Sequence, residues 1–151
     1  MNEPNRILVP VDLTDKSPPC VAYAGMLARN TGASLVLATN VNVPELSAIQ
    51  KYGMANEIKD DNKAGKALLF DLAAEAAPGI DTAAVLVFDD FPAEGILAVA
   101  EEYDIDLIVL ASRGRRGVSR FFLGSVAESV ARRSDVPVVL IPVHDEQSGS
   151  G

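Results

Sequence analysis

The chain has 151 residues, of which 48% are apolar and 23% charged, with 13 Lys and Arg against 21 Asp and Glu for a net charge of −8. That length suits one globular domain, that composition excludes a disordered chain, and that charge repels nucleic acid and anionic lipid from the molecule as a whole. One cysteine, Cys20, excludes an intrachain disulfide and a Cys-rich zinc site, and one histidine, His144, leaves no Ser-His or Cys-His catalytic arrangement.

In chain order, Arg6 to Val11 (RILVPV) predicts a buried strand. Ser17-Pro18-Pro19 predicts a helix start, with proline tolerated in the first turn. The helix places Val21, Ala24, Leu27 and Ala28 on one face and stops near Thr31-Gly32. Ala33 to Val41 (ASLVLATNV) predicts a second strand, apolar enough to be covered on both faces. Residues 42 to 56, with Pro44 and Gly53, read as a long connection of the kind that carries function.

A second helix spans about Glu57 to Ala77, with Leu68, Leu69, Leu72 and Ala76 inward, and ends at Pro78-Gly79. Ile80 to Phe88 predicts a third strand. Pro92 to Tyr103 predicts a third helix with Ile96, Leu97, Ala100 and Tyr103 inward. Asp106 to Ala111 (DLIVLA) is the fourth strand, followed by a Gly- and Arg-rich loop and a helix from about Ser125 to Arg133. Val136 to Val143 (VPVVLIPV) predicts a fifth strand. Strands alternating with helices imply an α/β fold, a mostly parallel sheet with helices on both faces. Residues 1–144 read as one domain and 145–151, ending Gln-Ser-Gly-Ser-Gly, as a flexible tail. No apolar run reaches the ~20 residues of a membrane span. The N-terminal stretch also lacks a secretory pattern, so a cytoplasmic protein is expected.

Ligands of open parallel sheets bind beyond the carboxyl ends of the strands, where strand order reverses. Two such ends carry chemistry here. The first strand finishes Pro10-Val11-Asp12, with a carboxylate at the mouth of the sheet. The fourth runs from Ala111 into a loop with Gly114, Gly117 and Gly124, which let main-chain N–H groups approach an anion closely. Ser125 adds a hydroxyl at the positive end of the last helix. Residues 113 to 133 hold Arg113, Arg115, Arg116, Arg120, Arg132 and Arg133 against the single acid Glu128. A basic island on an acidic chain suggests a small polyanion such as a nucleoside triphosphate. A second reading of the same residues stays open: Ser125-Val126-Ala127-Glu128 fits the Ser-x-x-Glu capping box, which needs no ligand. No G-x-x-x-x-G-K-S/T is present and no lysine follows Lys66, which excludes a P-loop NTPase. The missing late lysine also argues against a phospho-receiver, although Asp12, Asp89 and Asp90 lie near strand ends.

From RILVPVD to GSVAESVARRSDVPVVLIP the sequence resembles the universal stress protein family, small α/β nucleotide-binding domains with the signature G-x2-G-x9-G-S/T. Gly114, nine residues and Gly124-Ser125 match it, while Ala111 stands at the first glycine position. A methyl there, if it faced the ligand, would crowd ribose or phosphate. The resemblance implies an open five-stranded parallel sheet of order 3-2-1-4-5, of the Rossmann-like, adenine nucleotide alpha hydrolase-like type. It implies a nucleoside pocket lined by Pro10, Val11 and Asp12, with adenine meeting main chain at Asn40. Ala111, Arg113, Gly114, Arg115 and Gly117 would surround ribose and phosphates. Gly124, Ser125 and Val126 would hold the phosphate chain, with Mg2+ or Mn2+ bridging its oxygens.

The family also implies homodimers. Val136 to Val143 is an apolar edge strand with little charge to protect it, a liability that antiparallel pairing across a two-fold axis relieves. Pro137 and Pro142 cannot donate hydrogen bonds, so their N atoms are expected to face away from the partner. The expectation is an ATP-binding stress-response regulator with slow or no hydrolysis and a protein partner of unknown identity. The alternatives are a dimeric interaction module of the same fold that binds no nucleotide, and an ATPase or phosphotransfer protein that depends on Asp12.

Overall fold

The structure is a computed structural model and describes residues 3–12, 17–40, 55–87, 92–114 and 124–144. Its elements in chain order are β1 (Arg6–Val11), α1 (Ser17–Thr31), β2 (Ser34–Asn40), α2 (Ala55–Ala76), β3 (Thr82–Val87), α3 (Pro92–Glu102), β4 (Leu107–Gly114), α4 (Ser125–Arg133) and β5 (Val138–His144). The five strands form one parallel sheet of order β3-β2-β1-β4-β5, as expected.

Strand alternation divides the core in two. Ile7, Val9, Val11, Leu35, Leu37 and Val109 face one layer, where Cys20, Val21, Ala24 and Ala28 of α1 meet Leu69 and Ala73 of α2. Leu8, Val36, Ala38, Ile108 and Leu110 face the other, against Ile96 and Val99 of α3 and Ala127 and Val130 of α4. Both faces are covered, which is why the strands read as nearly continuous apolar runs. Gly32, with φ 79°, ends α1 in the left-handed conformation, and its N–H donates to the Ala28 carbonyl at 2.8 Å.

Some expectations are corrected. Leu68 is not inward: it is 54% exposed, and Phe70 is exposed with it, because α2 is oriented by Leu69 and Ala73, one turn apart. The third strand begins at Thr82 rather than Ile80, and its expected end at Phe88 lies outside the described residues. The fourth strand does not stop at Ala111. It continues through Ser112, Arg113 and Gly114, which pair with Pro142, Val143 and His144. The 42–56 connection lies outside the described residues except for Ala55 and Asn56, which open α2.

The helices α1 and α2 approach so closely that a Cβ on Gly25 would lie 2.6 Å from Ala77 Cβ. Arg29 Nη2 donates to the Pro78 carbonyl at 3.2 Å across the same joint. Gly25→Ala is therefore expected to force the helices apart and destabilise the protein by about 1–3 kcal/mol, the usual range for overpacking. Urea unfolding followed by circular dichroism measures it.

Candidate functional site at the β1–β4 switch point

The sheet is closed between β1 and β4 at its amino end and open at its carboxyl end. Asn5 and Arg6 N–H groups both donate to Asp106 Oδ2, at 2.7 and 3.0 Å. Asp106 N–H returns a bond to the Arg6 carbonyl at 3.0 Å, and Arg6 Nη1 donates to the Tyr103 carbonyl at 2.8 Å. Only Ile7 and Leu8 then pair with β4, at Leu107 and Ile108. By contrast β1 pairs with β2 over its whole length, and β4 pairs with β5 from Ile108 to Gly114.

The cause lies in Pro10. Ser34 N–H donates to the Asn5 carbonyl, so the odd-numbered residues of β1 turn their main chain toward β2. The even-numbered residues turn theirs toward β4. Pro10 is the next even residue after Leu8 and has no N–H to offer. The β1–β4 ladder ends where that donor is missing, and the crevice begins. Its position is the reversal point of strand order, where open α/β sheets bind ligands.

Around this mouth lie the expected residues. Pro10 is half-buried, Val11 buried, and Asp12 exposed just past the strand. Asn40 ends β2, and the same alternation turns its main-chain groups toward β1. Ala111 is partly buried, and its methyl packs against the α1–α2 core cluster. Arg113 and Gly114 lie in β4, not in a loop. Arg115 and Gly117, with Arg116, Arg120, Asp89 and Asp90, lie outside the described residues.

The helix α4 starts differently from a capping box. Its N-cap is Gly124, with φ 89° and ψ 149°, and no side-chain hydrogen bond caps it. Ser125 therefore sits one position inside the helix. Glu128, one position too far along to reach back, pairs with Arg132 at 2.8 Å. The first helical bond runs from Glu128 N–H to the Gly124 carbonyl, which leaves the N–H groups of Ser125, Val126 and Ala127 without intrahelical acceptors. Nothing lies within 4 Å of a Cβ built on Gly124, so conformation rather than space demands glycine there. Val126 directs its side chain into the α3–α4 core, so what it has for a ligand is its amide.

A residue that the motif reading missed sits behind Asp12. Cys20, in the first turns of α1, is buried, and its thiol is pushed up to about 11 by burial and by the Asp12 charge. Asp12 is thus near the start of α1 as well as at the end of β1.

Comparison with known proteins now places this scaffold. A sequence model of the Universal stress protein family matches residues 4–142. The chain belongs to the universal stress protein family. The universal stress protein YxiE of Bacillus subtilis is 31% identical over 146 residues, covering 91% of this chain and 98% of that one. A universal stress protein crystallised in complex with cAMP is 28% identical, with TM-score 0.63, covering 93% and 98% of the two chains. The Archaeoglobus fulgidus universal stress protein in complex with dAMP has TM-score 0.60 and covers 91% and 97%; at 20% identity that likeness speaks to the fold.

Two measurements follow from this geometry. Pro10→Ala supplies the missing donor, so the β1–β4 ladder is expected to lengthen, with a protected new amide at residue 10 and slower hydrogen exchange at residue 111 than in the native chain. Cys20 holds its proton more tightly folded than unfolded, where the thiol titrates near 9.0. Its contribution to stability is complete below pH 9 and is lost as pH rises toward 11. Unfolding midpoints should therefore fall over that interval in the native chain and fall less in Cys20→Ala.

Proposed function

We propose that this chain binds ATP at the β1–β4 crevice, with Mg2+ bridging the phosphates, and acts as a cytoplasmic regulatory homodimer with slow or no hydrolysis. The observation that carries this reading is the uncapped amino terminus of α4 following a sheet that opens at its switch point. Three main-chain N–H groups there need acceptors, and the positive end of the helix dipole favours an anion. The bound cAMP of the 28%-identical family member supports an adenine nucleotide as the occupant.

Each part of the pocket has a role under this reading. The main chain of Asn40 and the Pro10–Val11 end of β1 hold the nucleoside. Ser125 and Val126 amides and the Ser125 hydroxyl bind phosphate oxygens, with Arg113, Arg115, Gly114 and Gly117 closing the cradle. Asp12 offers carboxylate oxygens, the donors a hard divalent cation prefers. Without a cation that carboxylate repels a polyphosphate, so affinity requires the metal. The chain's one histidine ends β5, and Asp12 would be engaged in holding the cation, which is why turnover is expected to be slow.

Ala111 does not oppose this reading. Its methyl packs on the α1–α2 side of the sheet, whereas α4 starts on the other side.

Isothermal titration with ATP and Mg2+ tests the proposal. Saturable heat is expected, with ATP bound more tightly than adenosine and more weakly as salt rises. Gly124→Ala forces an alanine into a conformation open essentially to glycine alone, at a local cost of about 1–3 kcal/mol. Affinity for ATP should drop at least tenfold while adenosine binding changes less. Absence of heat and of thermal shift at millimolar ATP would favour the interaction module that binds no nucleotide.

A further inference from the structure

Thr39 is the one buried polar side chain among the described residues, 9% exposed on a strand that otherwise buries Leu35, Val36, Leu37 and Ala38. Its main chain is taken. Leu35 N–H donates to the Asp81 carbonyl, so the odd-numbered residues of β2 turn toward β3, where Thr39 stands opposite Leu86. Its hydroxyl is not taken: among the described residues no donor or acceptor meets it. An unpartnered hydroxyl in an apolar layer costs free energy that valine, equally branched, would not incur. Packing alone gives no reason for threonine here.

Position supplies one. Thr39 shares a face of β2 with Leu35 and Leu37, toward the α1–α2 layer, and lies in register beside Val11, the last residue of β1. On both strands access begins at the carboxyl end. Leu37 and Val9 are fully buried, while Thr39 and Val11, one step further on the same face, are 9% and 8% exposed. Among the described residues no side-chain oxygen or nitrogen sealed from solvent lacks a partner, so the Thr39 oxygen itself keeps that access. The hydroxyl thus opens at the mouth of the sheet, on the face that carries the Ala111 methyl. The next residue is Asn40, whose main chain turns toward β1.

We propose that the Thr39 hydroxyl hydrogen-bonds the nucleoside of a bound adenine nucleotide, an inference that rests on the nucleotide reading above. A threonine hydroxyl donates one bond and accepts others, so it suits an amino group, a ring nitrogen or a ribose hydroxyl alike. It does not serve the phosphates, because α4 packs on the opposite face of the sheet. The ligand supplies the partner that the fold withholds, and the hydroxyl contributes to affinity rather than to folding. A group held in this way also rejects ligands that cannot answer it.

Calorimetric titration of the native chain, Thr39→Val and Thr39→Ser, all with Mg2+ present, tests the assignment. Thr39→Val should weaken ATP and adenosine by the same factor, about three- to tenfold, the usual return of one neutral hydrogen bond. Binding of inorganic triphosphate should not change. Thr39→Ser keeps the hydroxyl and should restore most of the lost affinity. In urea Thr39→Val should unfold no earlier than the native chain, since it removes no hydrogen bond of the fold. Two analogues locate the contact: dATP for the ribose, and for the base the purine nucleotide that lacks the exocyclic amino group. The group in contact is the one whose removal makes the native chain and Thr39→Val bind alike. If native chain and Thr39→Val bind ATP equally, or differ only toward triphosphate, the role of Thr39 is overturned and ATP binding stands. Earlier unfolding of Thr39→Val would assign the hydroxyl to the fold and overturn that role too. A native chain that gives no heat with ATP would overturn both.

Discussion

The structure turns on a hydrogen bond that cannot form. A parallel sheet with order β3-β2-β1-β4-β5 has its reversal between β1 and β4, and Pro10 denies that seam the donor after Leu8. At the amino end the same seam is held firmly, with the Asp106 carboxylate taking two main-chain N–H groups of the β1 entry. One end is closed and the other cannot close. Strands on either side keep full ladders with their outer neighbours, so the opening stays local.

The second constraint is where α4 begins. A serine or threonine cap would have consumed one of the free N–H groups at the helix start. Gly124 takes the N-cap position instead, in a conformation that other residues reach only with strain, and contributes no side chain. Among the described residues, nothing caps the first amides of the helix. Its other end is fixed by Arg133, whose guanidinium forms two bonds to the Glu94 carboxylate in the first turn of α3. That partner holds Glu94 below the usual carboxylate range. Together with burial of Ala127 and Val130, the pair gives the helix a set position from which its free end can act.

Much of this was legible in the residues because buried parallel strands leave a plain record. RILVPV, SLVLATN and DLIVLA are apolar runs with no polar face, and Gly32 and Pro78-Gly79 punctuate the helices between them. The misses have physical reasons. Ser112-Arg113-Gly114 has little strand propensity of its own and is extended because β5 pairs with it, a tertiary effect. Leu68 looked inward because it neighbours Leu69, and one residue is a ~100° turn of helix. The capping box at Ser125 failed by a single position, since motif spacing does not say which residue is the cap. Pro10 and Pro142 were visible as prolines, but the effect of each depends on which neighbouring strand its nitrogen faces. That depends on ladder parity, which a lone sequence does not carry. Cys20 showed no motif at all; only its place behind Asp12 makes it part of the site.

Ala111 shows how the two faces of the sheet divide the pocket. As an odd-numbered residue of β4 it shares a face with Val109 and packs toward α1 and α2. Leu110 and Val126 belong to the opposite face, with α4. A methyl in place of the signature glycine therefore takes room on the Asp12 and Cys20 side, away from the amides that open α4. A ligand held at its phosphates would not meet it there. Any crowding falls on the part of the ligand lying between the carboxyl end of β4 and the start of α1. The exchange of glycine for alanine thus bears on the proposed nucleoside end, and leaves the proposed anion end to Gly124 and the helix behind it.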